Sequence, residues 1–217
     1  MDLRTAPVKR RKYRSPTREA QAAGTRKRVI AAATHRFLAV GYAATAMSAV
    51  AADTGVSVQA VYKIFGNKAL LAKAVVDAAL AGDELVPAPE RAAGVSRHEA
   101  DPRRRLRAFG DFVAEVAPRV APLMLLIRSA AETAPELLRM WEQANDERLA
   151  SMTRHARQLA ADGHLRAGVS AAQAADVLWA YTAPELFDLL VNRRRWSSRR
   201  FADWVSEAYI AALLEPG

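Results

Sequence analysis

TAMSAVAADTGVSVQAVYKIFGNKALL, residues 45–71, is the stretch that decides the fold of this chain. Three short helices can be read from it, each with its own start and stop. Thr45 stands where an N-cap is expected for a helix over 46–53, whose apolar residues Met47, Val50 and Ala51 follow a helical stripe. Gly55 ends that helix, and Ser57 then caps a second over 58–64. Gly66 breaks the second, and Asn67 caps a third that runs from Lys68 to about Leu80. Ala51, Gly55 and Val61 have the spacing of a helix-turn-helix: a small residue where the backbones cross, a turn residue that tolerates positive φ, and a core anchor in the second helix. On a helical wheel Val61, Ile64 and Phe65 point inward, whereas Val58, Gln59, Tyr62 and Lys63 point out. An exposed Tyr–Lys pair on a short capped helix suits a helix end in a DNA major groove. There Tyr62 and Lys63 would meet phosphates, with Val58 and Gln59 near base edges.

The rest of the chain supports an all-α protein. Of 217 residues, 51% are hydrophobic with alanine dominant, and β-branched runs with period-two alternation are scarce. Upstream, Thr25 is expected to cap a helix to about Val40 that turns Val29, Ala33 and Phe37 inward, and Gly41 stops it. The organisation expected is a basic flexible arm over 1–24, a helix-turn-helix domain over 25–85, a connector over 86–102 rich in proline and charge, and a C-terminal helical domain over 103–217. Helices are expected in that last part over 103–117, 122–133, 135–162, 171–192 and 198–214.

Charge placement narrows the partner. Residues 1–28 hold ten Lys or Arg against Asp2 and Glu19, so most of the net charge of +9 lies in the arm and the body is nearly neutral. Such an arm fits a polyanion, and its few apolar residues fit nucleic acid better than a membrane surface. The chain has no cysteine, which excludes disulfides, thiolate nucleophiles and cysteine-based zinc sites and points to a reducing cytoplasm. No apolar run approaches the roughly 20 residues of a membrane span, and no signal peptide is expected. The four histidines, His35, His98, His155 and His164, lack metal-ligand spacing. With no phosphate loop, nucleophile elbow or paired carboxylates, neither an enzyme nor a cofactor is expected.

The stretches TRKRVIAAATHRF and GYAATAMSAVAADTGVSVQAVYKIFGNKALL resemble the TetR family of bacterial transcriptional repressors. The resemblance is carried by Gly41-Tyr42, Thr45, Ala51-Ala52, Gly55-Val56-Ser57, Val61-Tyr62, Phe65 and Asn67-Lys68. Arg36 departs from it, standing where the family usually has an aliphatic residue. The resemblance implies that Thr45 and Ser48 approach phosphates and that Ser57, Val58, Gln59, Ala60, Tyr62 and Lys63 form the recognition surface. It also implies that Lys68 holds a phosphate at the start of the next helix. It further implies a double-stranded DNA operator, a small-molecule inducer, and a homodimer formed through the last two helices. The greasy segments WAYTAPELFDLLV and WVSEAYIAALL support such an interface from the residues alone.

Candidate ligand-contacting residues are Phe109, Phe112, Met124, Arg128, Trp141, His155 and Trp179, although aromatics and methionine at helical spacing are more often plain core. Arg128 lies in the apolar run PLMLLIRSAA, and pairing with Glu132 one turn on is expected. The run RRRWSSRR, 193–200, reads as solvated charge at a turn or as a second nucleic-acid patch. The function expected is a ligand-responsive repressor, with a constitutive architectural DNA-binding protein as the alternative.

Overall fold

The computed structural model describes residues 16–82, 91, 94 and 99–216, and all regular structure among them is helical. The elements are α1 (Pro16–Ala44), α2 (Met47–Thr54), α3 (Val58–Phe65), α4 (Lys68–Ala81), α5 (Pro102–Ala130), α6 (Pro135–Ala161), α7 (Ala171–Tyr181) and α8 (Pro184–Phe187). A π-helical turn (Asp188–Arg193) continues α8, and α9 (Ser198–Leu213) closes the chain. Residues 1–15 of the expected arm and most of the expected connector lie outside the described residues.

Three expected boundaries are corrected. Helix α1 starts at Pro16, nine residues before Thr25, so residues 16–24 are helical and Thr25 is an interior residue whose hydroxyl accepts a hydrogen bond from Arg28 at 3.3 Å. Ala20, Ala22 and Ala23 favour helix enough to carry it through Gly24, whose missing Cβ faces open space. The helices expected over 103–117 and 122–133 are one, α5, running through Pro118 and Pro122. Each proline removes one donor from the ladder. The helix continues because apolar residues on both sides of the prolines bury into two different cores. The helix expected over 171–192 breaks at Thr182 and Ala183, where Ala183 is extended (φ −65°, ψ 133°), as the residue before a proline prefers.

The first core gathers Val29, Phe37, Val50, Val61 and Leu71 from α1 to α4, with Leu123, Met124 and Ile127 of α5 and Leu137 of α6. The second gathers Phe109, Met152, Leu159, Leu178, Phe187, Phe201 and Tyr209 from α5 to α9. Helices α5 and α9 meet at Gly110, where a Cβ would stand 2.1 Å from Ser206 Oγ and 3.1 Å from the Ala202 carbonyl oxygen. Only a residue without a side chain admits that approach. Among the described residues, no helix is long and apolar enough to cross a membrane.

Candidate nucleic-acid interface and ligand cleft

The turn between α2 and α3 is built as its residues require. Gly55 takes the left-handed conformation (φ 68°), and Val56 N–H donates to the Ala51 carbonyl at 3.2 Å, closing the helix end. Ser57 caps α3 by accepting the Ala60 N–H at 3.2 Å, and Asn67 caps α4 by accepting the Leu70 N–H at 2.9 Å. On α3, Val61 and Phe65 are buried and Ile64 is half-buried, so the helix is anchored along one stripe. Gln59, Lys63 and Tyr62 lie outside that stripe, and Tyr62 is 48% exposed. Ser48 on α2 and Ser57 are exposed, and Val58 and Ala60 are half-buried beside them.

Two expected phosphate contacts have other work in this fold. Thr45 is 1% exposed and does not cap α2, whose N-cap is Ala46 with no side-chain cap bond. The Thr45 hydroxyl instead donates to the Gly41 carbonyl at 2.8 Å and pins the bend at which α1 ends, Gly41 itself being left-handed (φ 85°). Lys68 does stand at the start of α4, but its ammonium donates to the carbonyls of Tyr42 at 3.0 Å and Ala43 at 3.3 Å. The same ammonium lies 4.4 Å from the centre of the Tyr42 ring. It thereby satisfies carbonyls at the end of α1 that the helix cannot.

Lys68→Met is therefore expected to lower the unfolding free energy by about 1–3 kcal/mol, as for loss of charged hydrogen bonds. The salt dependence of DNA binding should stay unchanged. An intact melt with a salt slope reduced by about one would restore Lys68 as a phosphate contact.

Arg36 pairs with Asp53 in a two-pronged contact at 2.5 and 2.7 Å, tying α1 to the end of α2. That bond raises the Arg36 pKa and holds the Asp53 carboxyl below its ordinary range. An aliphatic residue could not make this link. Arg26 lies 4.8 Å above the Phe65 ring and so holds the first turns of α1 against the end of α3. Tyr42 ties the unit to α6: its ring packs on Phe37 with centroids 5.7 Å apart, and its hydroxyl donates to Glu136 Oε1 on α6 at 3.4 Å. Burial, then the neighbouring Glu136 carboxylate, pushes the Tyr42 pKa up to about 12.

The seven candidate ligand contacts separate. Arg128, Trp141 and Trp179 line one open cleft of about 450 Å³, together with Glu142, Asn145, Asp146, Arg148, Ala183 and Glu185. Phe109, Met124 and His155 are core. Phe109 sits 5.0 Å from the His155 ring and 5.8 Å from that of Tyr209, and Met124 belongs to the first core. Burial, then Arg154 and Arg105, drives the His155 pKa down to about 4, so the ring is neutral at pH 7. Phe112 is half-buried against the second core, away from the cleft, with the Arg91 guanidinium 5.5 Å from its ring. Arg128 pairs with Glu185, 57 positions on, and not with Glu132. Glu142, Asn145, Asp146, Arg148, Ala183 and Glu185 line the cleft without having been singled out in the sequence, and Arg148 is the most engaged of the polar ones. Its guanidinium lies 4.7 Å over Trp179 and donates to the Trp179 carbonyl at 2.5 Å, the Thr182 hydroxyl at 2.8 Å and Asn145 Oδ1 at 2.9 Å. In the run 193–200, Arg193 pairs with Asp188 at 2.8 Å, Arg199 with Asp203 at 2.6 Å, and Arg200 stacks on Trp196 at 4.0 Å.

Residues 29–75, which span the buried stripes of α1 to α4, match the sequence profile of the bacterial regulatory proteins of the tetR family. The DNA-binding unit of this chain is of the tetR type. That unit, with its helix-turn-helix, stands at the N-terminal end of an all-helical fold. No curated protein sequence matches the chain. Solved TetR-like structures share its fold over nearly the whole length. SmeT in complex with triclosan is 23% identical, with a TM-score of 0.74 over 89% of this chain and 93% of its own. NalD, the secondary repressor of the MexAB-OprM multidrug efflux pump in Pseudomonas aeruginosa, is 22% identical with a TM-score of 0.70 over 91% and 100%. A TetR transcriptional regulator from Chloroflexus aurantiacus is 24% identical, with a TM-score of 0.65 over 91% and 100%.

Proposed function

We propose that the chain is a TetR-family, ligand-responsive repressor that holds a pseudo-palindromic operator as a homodimer. The reading surface is Ser57, Val58, Gln59, Ala60, Tyr62 and Lys63, with Ser48 approaching the backbone from α2. Thr45 and Lys68 serve the surface indirectly, by setting the bend before α2 and the angle of α4.

The observation that carries the ligand response is that the cleft and the reading head stand on the same two helices. On α5, Ile127 plugs the head's core and the next residue, Arg128, lines the cleft. On α6, Leu137 is in that core and Trp141, one turn on, lines the cleft, while Glu136 accepts the bond from Tyr42. A molecule that moves Arg128 or Trp141 therefore acts on side chains packed against α1 and α4. Closely packed cores pass such shifts on as rigid displacements of whole elements. The relatives point the same way: NalD is described as a repressor, and SmeT was crystallised with a small molecule.

The dimer is proposed through the α8 and α9 end of the chain. Leu189 is 49% exposed there, and Leu186, Leu190 and Trp204 are half-buried around it. A second copy would cover them.

Selection from random duplex DNA tests the reading. The expected site has a dyad, with half-site major grooves about 34–36 Å apart or a multiple of it, and two chains bound per palindrome. A selected site without a dyad sinks the dimeric repressor, and equal affinity for all duplexes returns the constitutive architectural protein.

A further inference from the structure

We infer that the cleft between α5, α6 and the start of α8 takes a planar organic cation. The inference rests on the reading of this cleft as the ligand site and adds the chemical class that it selects. Its volume of about 450 Å³ lies within the roughly 300–1,000 Å³ of small-molecule sites. Two of its walls are indoles, Trp141 and Trp179. Flat electron-rich rings favour flat ligands and attract positive charge. The N–H of Trp179 is buried without an acceptor, so the aromatic wall is not held by polar bonds of its own.

The charges decide the sign. The donors of both cations are engaged within the chain. Arg128 pairs with Glu185 and lies 5.7 Å from the centre of the Trp141 ring. Arg148 lies over Trp179 and donates to the neutral Trp179 carbonyl, Thr182 and Asn145, so each indole has one face covered and its other face left for a ligand. Burial also lowers the Arg148 pKa, the direction expected of a cation that gives up water. Glu142 and Asp146 are different. They are exposed, line the cleft, and make no ion pair or hydrogen bond within the described protein. They stand four residues apart on one face of α6, so the two carboxylates repel each other. The lining thus holds three carboxylates, Glu142, Asp146 and Glu185, against two guanidiniums whose donors are engaged. A cation lodged between Glu142, Asp146 and the indoles relieves the repulsion, and an anion meets the excess of negative charge.

Three probes of nearly the same shape test the class: N-methylquinolinium, neutral 1-methylnaphthalene and anionic 1-naphthoate. Each is titrated into the full chain and followed by calorimetry and by quenching of tryptophan fluorescence. N-methylquinolinium is expected to bind at least about tenfold more tightly than either other probe. The Glu142→Gln, Asp146→Asn double variant should remove about tenfold of that affinity and leave 1-methylnaphthalene unchanged. Binding of 1-naphthoate as tight as that of the cation, with quenching that disappears in Trp141→Phe, overturns the charge class but keeps the cleft as the ligand site. Binding of all three probes with quenching untouched by both Trp141→Phe and Trp179→Phe, or binding of none, overturns the cleft reading and the inference together.

Discussion

Ile127→Ala is expected to lower the unfolding free energy by about 2–5 kcal/mol, the range for truncating a fully packed aliphatic side chain. It should do so by weakening the DNA-reading unit, although Ile127 lies 46 positions beyond the end of α4, on α5. The side chain is 2% exposed and packs in one core with Val29, Phe37, Val50, Val61 and Leu71. Its loss therefore leaves a cavity inside the head and loosens the joint through which the cleft is proposed to act on it. The location of the tryptophans makes the test decisive. Trp179, Trp196 and Trp204 lie in or beside the second core, whereas Trp141 packs against the first, so in a Trp141→Phe background fluorescence reports the C-terminal part while far-ultraviolet circular dichroism reports every helix. A shared core predicts that both signals fall together at a lower temperature in the variant. If the dichroism loses an early fraction while the fluorescence transition stays in place, the head folds as a separate unit and the proposed path is broken.

Tyr62→Ala is expected to cost about 1–3 kcal/mol of operator affinity, roughly a ten- to hundredfold weakening, with little change in melting temperature. The two readings of this residue differ by where its ring lies. A ring buried against Phe65 would leave a cavity and cost about 3–5 kcal/mol of stability on truncation. With 48% of the residue exposed and no aromatic partner among the described rings, Tyr62 cannot hold the fold in that way. Its ring and hydroxyl are free to lie on a sugar-phosphate edge, next to Gln59 and Lys63 on the open side of α3. A large fall in melting temperature, or operator affinity unmoved by the substitution, would remove Tyr62 from the reading surface and leave Gln59 and Lys63 to carry recognition.

How far the site could be read in advance follows from the range of the interactions that make it. The inward positions of α3 and the caps at Ser57 and Asn67 depend on residues within four of each other, and they stand where the spacing put them. Thr45 failed as a cap because its hydroxyl found the Gly41 carbonyl, which becomes available only once the left-handed bend at Gly41 has formed. The family resemblance implies a phosphate contact for Lys68 at a helix start, yet that place brings it beside the carbonyls of Tyr42 and Ala43, 26 and 25 residues back. For the cleft, aromatic residues and methionine at helical spacing could not be sorted in sequence. Core and cavity wall share the same periodicity, and only the packing partner separates Phe109 from Trp141.

Local signals in the chain were enough to determine an all-helical protein with a helix-turn-helix near its N-terminal end and an exposed Gln–Tyr–Lys face on the second helix of that motif. These follow from periodicity, capping and glycine conformation, whose energies act within a turn or two. What the tertiary structure alone decided are the long-range pairings: Arg36 with Asp53, Arg128 with Glu185 and not Glu132, and Tyr42 with Glu136. It also decided that α5 runs through two prolines as one helix joining two cores, and that Gly110 lets α9 close onto it. The physical reason is common to all of them. A charge or a proline has several acceptable partners or conformations within its own segment, and the choice among them falls to groups brought close only when distant helices pack.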